Sequence, residues 1–223
     1  RLLSISPLLC AVGANARFLG GRDLGLADGR MMVWERSHDT RDIGDYLADK
    51  PTRVGLPASY YETIEDYMVR VGSFPFVIEA PEAAVNIGIG LYWNDVRIKF
   101  PKGRTVVEFR PLSVQPTAVE DVALCAAALG LILAPDASLP LRPMNILRRD
   151  REAAFVRGLD SQLHAWNGSS WTAMEAREAV GEALALARLG LEVSGLGSDA
   201  DTFLPILERR LVDGTPSDRL AKE

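Results

Sequence analysis

Histidine and cysteine are scarce in this chain: two of each in 223 residues. His38 and His164 are too few for a histidine-rich metal site and give little footing to a catalytic histidine; His164, in DSQLHAWNG, is read as a structural or exposed residue near a helix end. No zinc-type ligand spacing, P-loop, dinucleotide-binding glycine fingerprint or Gly-x-Ser-x-Gly elbow occurs. Cys10 and Cys125 lie in the apolar runs SPLLCAV and DVALCAAALGLI, where a free thiol behaves as a small buried hydrophobe, and a reducing cytoplasm is the expected compartment. The Asn167-Gly-Ser triplet then carries no glycan. Positive charge is in deficit as well. Lys and Arg number 25 against 30 Asp and Glu, a formal charge of −5, so nothing attracts nucleic acid or an anionic membrane in general. Any anionic ligand has to be held by a local basic cluster. The opening RLLSISPLLCAV is too short and interrupted to span a bilayer, and there is no internal repeat or low-complexity tract.

What is present begins with a buried helix to about residue 14 and a Gly-, Asn- and Asp-rich structured loop, ANARFLGGRDLGLADGR. MMVWERSHDTRDIGDYLADKPTRVGLP reads as irregular chain with one short strand. ASYYETIEDYMVRVG reads as a helix opened by Ser59 and Glu62 at capping-box spacing, and FPFVIEA as a strand. Thr117 and Glu120 open a long apolar helix expected to be buried, MNILRRDREAAFVRGL forms an amphipathic helix with a basic face, and Thr172 with Glu175 opens a further helix ending at Gly190. One more helix and a frayed polar tail close the chain. The expected organisation is a loop and strand region over 1–116 and a helical region over 117–223, an α+β arrangement.

The segment with most chemical content is DVRIKFPKGRTVVEFR. Two period-two runs separated by PKGR predict an antiparallel hairpin in which Phe100 pairs with Thr105, Arg97 with Glu108 and Asp95 with Arg110. Asp95, Arg97, Glu108 and Arg110 then share one sheet face, and Val96, Ile98, Val107 and Phe109 the other. Such a face is either a set of ordinary cross-strand ion pairs or the floor of a site that binds phosphate through arginine and a hard cation through glutamate. Arg30 and Arg41 join the candidates as further arginines in structured contexts.

Three ordered stretches resemble the glutamate–cysteine ligases and related carboxylate–amine ligases. ANARFLGGRDLGLADGRMMVW is similar to that family's A-N-S-P-F-x-x-G-x-x-T-G-x-x-S-x-R-x-x-x-W, with Asn15, Gly21, Gly25, Arg30 and Trp34 at matching positions. The E-x-R strand at Glu108 and Arg110 and the RDREAAFVRGLDSQL helix follow in the family's order. Ala16 and Arg17 stand where the family has Ser-Pro, Leu24 where it has Thr, and Asp28 where it has Ser.

The resemblance implies a glutamine-synthetase-like antiparallel sheet with flanking helices, ATP and Mg²⁺ as cofactors, and amide formation between a carboxylate, the γ-carboxylate of glutamate by default, and an amine such as cysteine through an acyl phosphate. It implies Glu108 as a Mg²⁺ ligand and Arg110 as a catalytic clamp on phosphate. Arg30, Arg97, Asn15, Trp34 and Arg41 become binders of substrate or nucleotide. The family's amino-terminal Gly-x-E-x-E strand is missing from the sequence, so a second chain, or a copy of this one, is expected to complete the sheet and supply further carboxylates. Two other readings of the same fold stay open: a non-catalytic domain or subunit, and an amino-acid-binding regulator.

Overall fold

The computed structural model describes residues 1–74, 81–135 and 139–222. In chain order these form α1 (Leu2–Val12), β1 (Phe18–Leu19), β2 (Arg22–Asp23), α2 (Arg30–His38), α3 (Ile43–Leu47), β3 (Val54–Gly55), α4 (Ile64–Gly72), α5 (Pro81–Leu91), β4 (Trp93–Asn94), β5 (Val96–Lys99) and β6 (Val106–Phe109). There follow α6 (Ala118–Leu133), α7 (Met144–Arg157), β7 (Gln162–Trp166), β8 (Trp171–Glu175), α8 (Ala176–Val193), α9 (Gly197–Asp213) and α10 (Pro216–Leu220). With 56% helix and strands paired only in twos, the class is α+β. Three of the pairs are antiparallel and one, β3 with β4, is parallel. No helix among the described residues is long and apolar enough to cross a membrane. The strand expected over FPFVIEA lies, from residue 75 onward, outside the described residues.

The chain divides into two compact units, one made of residues 1–32 and 112–223 and the other of 33–111. In the first, α1 is buried along almost its whole length, its two serines included, and packs against α6, α7 and α8. Pro7 inside it cannot donate to the Leu3 carbonyl, and the Ser6 hydroxyl donates there instead at 2.8 Å. Helices α6, α8 and α9 pack on one another. The α6–α8 crossing is a backbone contact: a Cβ added at Gly190 would lie 2.8 Å from the Ala134 nitrogen and 2.9 Å from the Gly130 carbonyl carbon. Arg210, only 3% exposed, fastens α9 to the Val12 carbonyl (2.9 Å), the Gln115 side chain (2.7 Å) and Glu120 (3.0 Å).

The second unit has a small aromatic core of Tyr67, Val71, Ile89 and Tyr92, against which Ile98 and Phe100 pack from the hairpin. The Tyr61 and Tyr92 hydroxyls are hydrogen-bonded, and Tyr67 donates to the Ile98 carbonyl at 3.2 Å. Burial pushes the Tyr67 hydroxyl up to about 12, so it stays a donor at any physiological pH.

Several expectations need correction. Residues 31–57 are not irregular but carry α2 and α3 as well as the short strand β3; the apolar Met31, Met32, Val33 and Trp34 are consecutive and give no helical period. The capping box of α4 is Thr63 with Asp66, one turn later than Ser59 with Glu62. Thr172 and Glu175 lie in β8, and α8 starts at Ala176 without a side-chain cap. His164 is in a strand rather than at a helix end, and buried. Cys10 is buried, but Cys125 is exposed, because α6 buries one face only and leaves Val119, Val122, Leu129 and Leu133 at the surface. The tail is not frayed at Thr215 and Ser217, which are fully buried at the start of α10 under a Thr215–Asp218 capping box. The Thr117–Glu120 cap of α6 stands as expected.

Two substitutions in α8 separate packing from propensity. Gly190→Ala should destabilise by at least about 2 kcal/mol, since its methyl group meets backbone that cannot move aside. Gly181→Ala meets Leu211 at 3.6 Å, an ordinary contact, and should stabilise by about 0.5 kcal/mol through helix propensity. Urea unfolding of the two variants checks both signs.

Candidate functional site

Alternation places the charges on the hairpin, and the structure keeps the register that alternation dictates: Val96 opposite Phe109, Arg97 opposite Glu108, Ile98 opposite Val107 and Lys99 opposite Val106. Pairing continues beyond the strand ends, with the Arg110 amide donating to the Asp95 carbonyl at 2.8 Å. The turn closes through Lys102 and Gly103, both at positive φ.

Glu108 is the centre of this face. Its carboxylate receives Arg97 Nε, Lys99 Nζ at 3.0 Å and Arg110 Nη1 at 3.0 Å. Burial alone would push its pKa up; the hydrogen bonds from Arg97, Lys99 and Arg110 outweigh that and hold it down at about 2. Arg97, 7% exposed, also donates through Nη1 to the Gly90 carbonyl (2.8 Å) and the Ile89 carbonyl (3.3 Å), so it satisfies the carboxyl end of α5 while reaching the hairpin. Three cations around one carboxylate leave positive charge to spare, the condition for holding phosphate oxygens.

At the end of β4, two residues before β5, stands a residue that sequence reasoning passed over. Asn94 is fully buried, and neither its amide nitrogen nor its amide oxygen has a hydrogen-bond partner among the described residues. An unmet donor and acceptor each cost about 1–3 kcal/mol, so such a side chain marks a place for water or ligand. Beside it, Trp93 meets the edge of Trp34 (5.7 Å) and of His38 (4.7 Å), and Trp34 stacks on His38 at 4.0 Å. Trp34 therefore belongs to an aromatic cluster next to Asn94. Lys99 was likewise overlooked, though its alternate position on the strand put it on the charged face.

The other candidates have different partners. Arg41 is held by Asp39 (2.7 Å), the Lys50 carbonyl (2.9 Å) and the Tyr46 ring, a local clamp on the loop around α3. In the first unit, Asn15 donates to the Val114 carbonyl at 2.7 Å, and Arg30 contacts the Leu112 carbonyl at 3.4 Å. Both converge on Asp28, which is buried and accepts from the Ser113 hydroxyl (2.9 Å), the Arg30 amide (3.2 Å) and the Asn15 amide (3.3 Å). Burial raises the Asp28 pKa against those hydrogen bonds. Asp28, where the resembling family has Ser, is thus the hub that joins Asn15 and Arg30 to the chain leaving the hairpin.

The cations around Glu108 are of the kind that hold phosphate oxygens. Among the described residues no three His, Cys, Asp or Glu side chains are grouped so as to hold a metal ion, and Glu108 would contribute one carboxylate to a Mg²⁺ held mainly by substrate phosphates.

The Glu108 contacts can be tested through pH. Its pKa in the folded chain lies below its ordinary 4.5, so the stabilisation is complete above that value and disappears as pH falls toward about 2. Glu108→Gln should lower the melting temperature at pH 7, and the difference from the parent should close between pH 4.5 and 2. Thermal unfolding across that range decides; a difference independent of pH would remove the ion cluster as its cause.

No curated protein matches this sequence. The family model described as glutamate-cysteine ligase family 2 matches residues 1–223. The chain belongs to glutamate-cysteine ligase family 2, and its activity is that of a ligase of the glutamate–cysteine ligase kind.

Proposed function

We propose that this protein uses ATP to join a carboxylate, the γ-carboxylate of glutamate, to an amine such as cysteine. The observation that carries the reading is the Arg97, Lys99 and Arg110 cluster around Glu108 in a chain of this family. In the proposed reaction the substrate carboxylate oxygen attacks the γ-phosphorus of ATP, the bond to ADP breaks, and an acyl phosphate results. The amine then attacks the acyl carbon, phosphate leaves with the bonding pair, and the amine's proton passes to solvent or base. Both steps move negative charge between oxygens without a protein nucleophile, so positioning and fixed positive charge supply the catalysis.

Arg110 is assigned to the transferring phosphoryl group and Arg97, anchored on α5, to nucleotide phosphate. Asn94 is assigned to a polar contact with the ligand and Trp34 to the aromatic cluster beside it, and Asn15 and Arg30 to ordering the chain around Asp28. Mg²⁺ enters only as the counter-ion of the nucleotide. Glu108 would supply one of its ligands, beside the nucleotide's own phosphate oxygens and water. Free thiols at Cys10 and Cys125 suit a reducing cytoplasm.

The test is phosphate release by the full-length protein with ATP, Mg²⁺, glutamate and a panel of amines. Arg110→Ala should lower kcat by at least a hundredfold with little change in melting temperature. Arg97→Lys should also be impaired, because lysine cannot reproduce a fork that spans Glu108 and two carbonyls. Full activity in either variant would overturn the assignment.

The β5–β6 pair has no further strand on either side among the described residues, and Val107 on its apolar face is 54% exposed. Unpaired edges and exposed apolar faces favour association. We infer a second chain, or a copy of this one, that extends the sheet. Sedimentation of the purified 223-residue chain should therefore show a complex or self-association; a monodisperse monomer that carries out the ligation unaided would overturn the inference. A second reading, a non-catalytic subunit, is favoured by the existing satisfaction of Glu108 by three cations. It requires that the assembled protein fail to bind ATP.

A further inference from the structure

The basic helix α7 has no part in the site described so far, yet it lines a cleft of about 810 Å³ with the β7–β8 hairpin, within the size range of small-molecule sites. Arg149, Glu152 and Arg157 reach the cleft from α7, and His164 and Glu175 from the hairpin. Beneath it lies Asp150, with no solvent exposure, which accepts from His164 Nδ1 at 2.7 Å and from the His164 amide at 2.9 Å. Since Nδ1 donates to Asp150, Nε2 is left as an acceptor, and Arg149 Nη2 donates to it.

That arrangement differs from an ordinary surface ion pair. Arg149 is oriented by an imidazole that is itself fixed by a buried carboxylate, so the contact that positions the guanidinium is not with a carboxylate. The acidic lining is split. Asp160 is already paired with Arg177 at 2.8 Å, whereas Glu152 and Glu175 stand in the cleft with the arginines. Two arginines and two glutamates give no net sign, which disfavours a ligand of single charge and favours one carrying both.

We propose that this cleft binds a small zwitterion of the α-amino-acid class, with its carboxylate on Arg149 and Arg157 and its ammonium on Glu152 and Glu175. The cleft's lining includes no residue of the Glu108 cluster, and the proposal does not rest on the ligase reading.

Three probes test it in ¹⁵N-labelled protein by NMR titration: glycine, acetate and methylammonium, followed at the amides of Gln162, His164 and Ala173. Glycine should shift these amides saturably, with acetate and methylammonium each at least tenfold weaker. Arg149→Met should raise the glycine Kd at least tenfold, and so should Glu152→Gln, which carries the test should the arginine variant lose native dispersion. No saturable shift at these amides, equal binding of acetate and glycine, or Kd values indifferent to Arg149→Met and Glu152→Gln would each overturn the proposal.

Discussion

Asp150 is the residue on which the first unit depends. A carboxylate with no solvent exposure survives only if its charge and lone pairs are met, and Arg142, 1% exposed, meets them together with His164. Arg142 in turn donates to the Ser4 carbonyl at 3.1 Å and the His164 carbonyl at 2.5 Å, lies over the Trp171 ring at 4.6 Å, and accepts orientation from Ser4, whose hydroxyl takes its amide. One pair of charges thereby joins α7 and the β7–β8 hairpin to α1, which is distant from both in sequence. Removing one member of such a pair typically costs about 3–5 kcal/mol, because the other is left charged and dry. The pair therefore acts less as a source of net stability than as a demand that these three elements meet in one arrangement.

The hairpin face in the second unit uses the same residue types to another end. Glu108 is a third exposed at its side chain, Lys99 more so, and both can exchange partners with solvent or ligand at modest cost. Arg97 is the exception, buried and fixed to the α5 carbonyls. A buried arginine that anchors a wetter carboxylate with two further cations can hold its geometry while the outer members rearrange around an incoming anion. The Arg142–Asp150 pair has no such freedom.

How legible each part was in the sequence follows from the range of the interaction that creates it. The hairpin's register was readable because period-two alternation fixes it locally, down to Arg97 opposite Glu108, although the strands stop at Lys99 and Val106 and leave Phe100 and Thr105 in the connection rather than paired. The α6 cap was readable because Thr117 and Glu120 sit three apart at the edge of an apolar run. The same spacing misled at Thr172 and Glu175, where Trp166 and Trp171 pair across the Asn167 turn and draw the segment into a strand. Spacing alone does not distinguish a cap from alternate residues on a strand. Asp150 lay within a helix read only as amphipathic with a basic face, and Arg142 in the segment before it; nothing local reports that Ser4 and His164 will enclose them. Asn94 left no signal either: an amide without partners is visible only once everything around it has a place.

Asp28 shows what departure from a family pattern can mean physically. A serine at that position offers one hydroxyl, while aspartate offers two oxygens, and here they collect the Ser113 hydroxyl and the amides of Asn15 and Arg30. Burial works against the ionised form, and these three donors recover part of that cost. The substitution therefore fits a local network with its own partner, Ser113, and Asn15 extends it through its side-chain contact with the Val114 carbonyl. Asn15 and Arg30, the residues that match the family pattern, are held by this altered hub. Their arrangement is kept by a different set of hydrogen bonds, so a changed letter within a motif is compatible with a preserved geometry.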